Sequence, residues 1–261
     1  MLRWGLITGC LLPCAWRLKE WTMMRWVLII LCFLSSASVS SAETITLGAE
    51  NDWVPYANQD GTGMSNEIVQ AAYKAVGIDV VFQVGPYNRL LKDVREGGIL
   101  GAFNVPKEHA NEAIYIFGKT PLFTALSAYY YNRDRPLKAK RKEELVNKEK
   151  VGIVFDYGYG DFFSNNDRIE KIEVRSDLLN LRKLAKGRID ATILYDKTAK
   201  KLIKENGLTD KIEKAFDSES ADIYVAFSKV VPKAQYYADK LDEGLAMIKA
   251  NGTYQKILDA Y

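Results

Sequence analysis

Beyond residue 42 the chain has no cysteine, because Cys10, Cys14 and Cys32 are its three. That part forms no disulfide and offers no thiolate nucleophile or cysteine metal ligand. Histidine is almost as scarce, with His109 the single one. A zinc site of the usual His and Cys type is therefore excluded, and no acidic run has the spacing of a calcium loop. G-x-S-x-G, a Walker loop and H-E-x-x-H are all missing, which removes the commonest hydrolase, nucleotide and metalloprotease signatures. "GYG" at 158–160 lacks the third glycine and the partner acid of a dinucleotide fingerprint, so it reads as a turn before a helix.

Net charge is missing as well. The whole chain carries +3, but four Lys/Arg and one Glu lie in the first 42 residues, which leaves 32 basic and 32 acidic residues beyond them. Nothing in that balance points to nucleic acid or an anionic membrane as a partner. The apolar run "WVLIILCFLSSASV" at 26–39 is shorter than the roughly 20 residues that span a bilayer. Arg25 precedes it and Ser40-Ser41-Ala42 follows. This is the pattern of a secretory signal peptide cut after Ala42, with Met23 or Met24 as a plausible start. "LITGC" at 6–10 resembles a lipoprotein box, but five residues precede it, too few for the apolar region such a box needs. Residues 1–42 are thus read as a leader, and export without cysteine fits a periplasm. Four of the five Trp lie in that leader, leaving Trp53 alone in the rest.

What is present alternates between strand and helix patterns. Strands are expected at 45–49, 79–84 and 99–105, with helices at 65–77 (Ser65 as cap, Gly77 as stop) and 87–98 between them. This order implies a parallel sheet with crossover helices. The aromatic run 122–132 is strand-like and long enough to leave one lobe for another. Residues 133–150 are a charged connector with a short helix. The alternation then restarts: strands at 150–155, 171–174, 189–194 and 223–228, and helices within 156–166 and at 176–187 and 195–207. Helices at 232–251 and 252–261 close the chain.

The first strand–helix connection, "GAENDWVPYANQDGTGMSNEIV" (48–69), carries Trp53 and Tyr56 at the carboxyl end of a strand, where open α/β sheets bind ligands. Large aromatics there stack on a ligand or else cap a hydrophobic core. His109, beside Lys107 and Glu108, reads as a solvated loop residue rather than part of a catalytic triad.

Several pieces in order resemble the bacterial extracellular solute-binding proteins of the polar-amino-acid type, family 3, which serve ABC transporters. They are "WVPY" with "DGTGMSNEIV", "YNRLLKDVREGGILGAF", "FGKTPLF", "KVGIVFDYGYG", "KGRIDATI" and "IKANGTYQKI", together spanning 43–261. The resemblance implies a periplasmic-binding-protein type II fold: two α/β lobes, 43–124 plus 226–261 and 125–225, joined by two hinge strands and closing over a ligand. It places Trp53 on the ligand side chain with Tyr56 next, and the backbone near Asn104 against the ligand. It also brings in Lys107 and His109, and a helix N-terminus at the Asp156–Tyr159 turn, including Tyr157, to face an anionic group. Two departures stand out. The window 105–112 has no Arg to grip an α-carboxylate, only Lys107 and His109. The position that holds the ammonium in relatives is Tyr195 here, with Asp196 one residue late. A ligand other than a standard α-amino acid is therefore expected, polar or aromatic. The expected partners are this small molecule and an ABC permease or membrane sensor, with the chain a monomer needing no cofactor. Two other classes stay open: a sensory module for a membrane signalling partner, and a dehydratase-like enzyme with Glu108 or His109 as its acid.

Overall fold

The computed structural model describes Met1, residues 43–155 and residues 157–261. β1 (Glu43–Glu50) pairs in parallel along its whole length with β2 (Ile78–Gly85), and at Leu47 and Gly48 with β3 (Gly101–Pro106). The crossovers are α1 (Met64–Ala75) and α2 (Tyr87–Glu96). Parallel strands covered on both faces need apolar side chains on both. Leu47, Phe103 and Phe227 accordingly pack with Met64, Ile68 and Tyr73 of α1, while Leu90 and Val94 of α2 pack with Val105 and Ala226 opposite.

The second lobe repeats the plan. β6 (Lys150–Val154) lies parallel to β7 (Glu170–Val174) and to β8 (Ala191–Tyr195). One face holds Tyr129, Leu145, Val151, Ile153 and Ile193, and the other Leu181, Leu184, Ile189 and Leu194. The crossovers here are α4 (Asp161–Ser164) and α5 (Asp177–Ala185). α3 (His109–Glu112), α6 (Asp196–Glu205), α7 (Ala234–Ala250) and α8 (Thr253–Ala260) are the other α-helices described, and the connector carries one 3-10 turn, Lys142–Glu144.

Two long strands join these halves. β5 (Phe123–Asn132) and β9 (Ile212–Ser228) run antiparallel, from Phe123 opposite Ile223 to Asn132 opposite Ile212. β9 continues beyond β5 to pair with β3 and with β4 (Tyr115–Phe117), and β5 pairs with β8. The path is β2-β1-β3-β9-β5-β8-β6-β7, with β4 on β9.

The structure corrects two local expectations and narrows a third. The strand expected at 223–228 is the end of β9, whose polar first part, "IEKAFDSESAD", is a strand because its backbone pairs with β5, not because it buries a face. Gly63, at φ 135°, is the cap of α1, whereas Ser65 lies inside the helix, buried with its hydroxyl unpaired. The helix expected within 156–166 is the single turn α4, which starts after Gly160. Ser176 is the cap of α5, without a side-chain hydrogen bond.

The long helix α7 crosses α1 at Gly244, where an added Cβ would run into the Ala72 carbonyl. Gly244→Ala is expected to destabilise the fold by about 1–3 kcal/mol through this overpacking, measured as a lowered midpoint in urea. An unchanged midpoint would mean that the two helices separate freely.

Candidate functional site

Four strand ends converge between the lobes. Glu50 ends β1, and Asn104 and Pro106 belong to the end of β3. Tyr157 follows β6, and Tyr195 ends β8. With Trp53, Tyr87 and Gly158 they line a central cavity with about 20 Å³ of room for water-sized centres, enough for one water molecule.

The two lobes touch directly around it. Trp53 stacks on Tyr56 at 4.3 Å and meets the edge of Tyr195 at 4.8 Å, and Tyr56 stacks on Phe123 at 5.0 Å. Tyr87 meets Tyr157 edge-on at 5.5 Å. Such ring pairs contribute about 0.5–1.5 kcal/mol each beyond their area. The Tyr157 hydroxyl faces Oε2 of Glu50 at 3.4 Å and the Asp52 carbonyl at 3.3 Å. Asn104 donates from Nδ2 to Oε1 of Glu50 at 3.5 Å. These contacts are long for hydrogen bonds, so the Glu50 carboxylate is held loosely. Asn104 adopts φ 70°, a left-handed conformation that Asn accepts more readily than most residues. Its Oδ1 and the Trp53 Nε1 are buried without a partner.

Glu50 is 2% exposed, and no Lys, Arg or His lines the central cavity. Burial raises its pKa well above the usual carboxylate value, and the charges of Asp177 and Asp52 add to this. Burial likewise pushes Asp177, at the start of α5, up to about 7, with Asp52 contributing. Glu50 and Asp52 come from the first lobe and Asp177 from the second, so like charges face one another across the cleft.

Two wider spaces flank the cavity. One, of about 400 Å³, has Lys107, Glu108, His109, Tyr159, Glu219 and Asp222 among its lining. The other, of about 360 Å³, includes Asp52, Asn88, Phe155 and Arg175. Among the described residues no cluster of three metal-ligating side chains occurs, and no helix is long and apolar enough to cross a membrane.

The structure brings Trp53, Asn104, Tyr157 and Tyr195 into one cavity. Lys107 and His109 sit at the outer space, both within ion-pair reach of Glu112, at 3.2 and 3.7 Å. Tyr159 also reaches that space, but its hydroxyl accepts from the Val154 amide. Tyr56 is buried behind Trp53, and Asp196 is turned away, bound to the Tyr130 hydroxyl at 2.8 Å and to Lys214 at 2.9 Å. Asp156 lies outside the described residues. Sequence reasoning missed Glu50, Tyr87 and Pro106 as lining residues, whereas Gly158 falls within the 156–159 turn it named. An acid closing an apolar strand was the available signal for Glu50, and an aromatic opening α2 was the one for Tyr87.

The family profile of the bacterial extracellular solute-binding proteins, family 3, matches residues 45–261. The chain belongs to that family. A search of curated proteins finds no match. Among solved structures the chain is similar to a histidine kinase sensor domain with similarity to periplasmic binding proteins, at 21% identity and TM-score 0.75, covering 84% of this chain and 95% of that one. It is similar to an ancestral arginine-binding protein bound to arginine, at 19% identity and TM-score 0.72, covering 84% and 97%. It also resembles an ancestral amino acid-binding protein that is a precursor of cyclohexadienyl dehydratase, at 17% identity and TM-score 0.69, covering 84% and 95%. At these identities the likeness is one of fold, and it agrees with the two-lobed α/β architecture.

The raised carboxyls set a pH dependence. The folded state binds more protons than the unfolded chain between about pH 4 and pH 7, so this contribution to stability is present below pH 4 and is lost as pH rises through 7. The rise at Asp177 to about 7 corresponds to at most about 4 kcal/mol at high pH. Asp177→Asn is expected to raise Tm at pH 8 by several degrees, since about 1 kcal/mol shifts Tm by 2–4 °C in a domain of this size. At pH 4 it should change little. Scanning calorimetry across that range checks this, and an unchanged Tm at pH 8 would place Asp177 in water.

Proposed function

We propose that the chain is a periplasmic receptor that captures a small solute between its lobes by hinge closure and hands it to an ABC importer. The observation that carries this reading is the composition of the cavity wall. Both lobes supply it, and its one acidic side chain, Glu50, is buried. A solute touching both lobes binds the closed state better than the open one, and that difference drives closure.

The same wall argues against a standard α-amino acid. No arginine lines the cavity to fork a carboxylate, and the acid nearest in sequence to the usual ammonium position, Asp196, is committed to Tyr130 and Lys214. An α-carboxylate placed beside Glu50, whose own carboxyl is already pushed toward the neutral form by burial, would be a buried negative charge without a partner, costing several kcal/mol. The nearby cations, Lys107 and Arg175, line the flanking spaces and not the cavity wall, which weighs against a dehydratase that would grip a carboxylic acid inside the cavity. A second use, presenting the solute to a membrane sensor, draws support from the similarity to a histidine kinase sensor domain.

Trp53 is the single Trp in residues 43–261, so its fluorescence reports on the cavity. A solute that binds should change that emission, and at one hundred times its Kd should add about 2.7 kcal/mol of stability. Glycine, alanine, glutamine, glutamate and arginine are expected to produce neither change at millimolar concentration. Micromolar binding of any of them would overturn the ligand part of this reading.

A further inference from the structure

We infer that the central cavity is built for the head group of a primary ammonium ion that carries no carboxylate, with a neighbouring oxygen as a second point of recognition. This rests on the receptor reading above and names the solute class that the site takes.

The unpaired atoms of the cavity define the complement. Oδ1 of Asn104 accepts nothing in a residue 3% exposed. The two Glu50 oxygens are met only at 3.4 and 3.5 Å. These three acceptors belong to Glu50 and Asn104, which line one small space, and a group with several hydrogens on one centre meets their demand. A buried acceptor left without a donor costs about 1–3 kcal/mol. The opposite demand comes from Trp53, whose buried Nε1–H has no acceptor. The fitting group thus brings N–H donors for Glu50 and Asn104, and an oxygen for the indole.

Charge and shape agree with this. Trp53, Tyr87, Tyr157 and Tyr195 all line the cavity with Glu50. Aromatic faces attract cations through the ring quadrupole, and more strongly when water is excluded. A cation would also offset the mutual repulsion of Glu50, Asp52 and Asp177. The volume sets the last limit. About 20 Å³ of room for water-sized centres suits a single –NH3+, which is close to water in size. A trimethylammonium group is several times larger and has no N–H to give. A carbon bearing both ammonium and carboxylate is too large as well, and wrong in charge. The remainder of the solute leaves the cavity toward one of the flanking spaces, which share Tyr195 and Pro106, or Tyr87 and Tyr157, with it.

The test is isothermal calorimetry with Trp53 fluorescence on the chain lacking its first 42 residues, using ethanolamine, n-butylamine, choline and alanine. Ethanolamine is expected to bind tightest, because it brings both the ammonium and an oxygen for Nε1. n-Butylamine should bind roughly tenfold more weakly, the worth of one hydrogen bond. Choline and alanine should bind at least a hundredfold more weakly than ethanolamine, on the order of the loss when one partner of a buried charge pair is removed. Glu50→Gln and Asn104→Leu should each abolish ethanolamine binding while circular dichroism stays that of the parent. Asn104→Asp, which keeps an acceptor, should retain it. Choline binding as well as ethanolamine would overturn the N–H requirement. Amine binding that neither Glu50→Gln nor Asn104→Leu weakens would overturn the site. If no amine binds but another solute changes Trp53 emission, the amine class falls and the receptor reading stands. If nothing binds, both fall.

Discussion

The antiparallel pairing of β5 with β9 is the constraint on which this architecture rests. Each strand belongs to both lobes, and their ladder runs from the Phe123–Ile223 pair to the Asn132–Ile212 pair. Because the ladder is continuous, both lobes hang from one spine. Two register shifts, near Ser127 and between Tyr129 and Tyr130, interrupt it where the chain passes from one lobe to the other. Bulges of this kind bend and twist a strand pair. Ser127 ties the ladder there by accepting from the Glu219 amide and donating to its carbonyl.

From that spine the cleft follows. In each lobe β1, β2 and β3, or β6, β7 and β8, end on the same side, because helical crossovers return the chain to pair in parallel. The ends of β1 and β3 therefore face the ends of β6 and β8, and the residues just beyond them form the cavity wall. The aromatic rings there serve packing and recognition together. Trp53 and Tyr56 extend the core of the first lobe, and Tyr195 joins them from the second. Glu50 is the exception to an otherwise apolar arrangement. A buried carboxylate with long contacts and no cation beside it is costly to hold. A fold tolerates that cost most readily where something other than the fold itself has a use for the charge.

Much of this was legible beforehand, for identifiable reasons. The alternation of strands and helices was visible because the parallel strands are covered on both faces and read as short apolar runs, such as "KVGIV" and "ATILY". Trp53 and Asn104 could be placed because motif and strand end coincide. The first part of β9 was not legible, since a charged strand held by backbone pairing leaves no hydrophobic pattern. Ser65 misled because its residue type suits a cap, while Gly63, one residue before the helix, has the φ 135° that the turn needs.

The amino-acid sequence by itself determined the two α/β units, their order, the family and the absence of a carboxylate-gripping arginine after the third strand. These depend on local patterns and on residue identity. Only the tertiary structure decided that Glu50 is buried without a cation, that Asp196 is spent on Tyr130 and Lys214, and that Tyr87 meets Tyr157 across the cleft. Each of those facts is a relation between residues far apart in the chain. Burial, and with it the energy of a charge, is fixed by what the fold brings alongside.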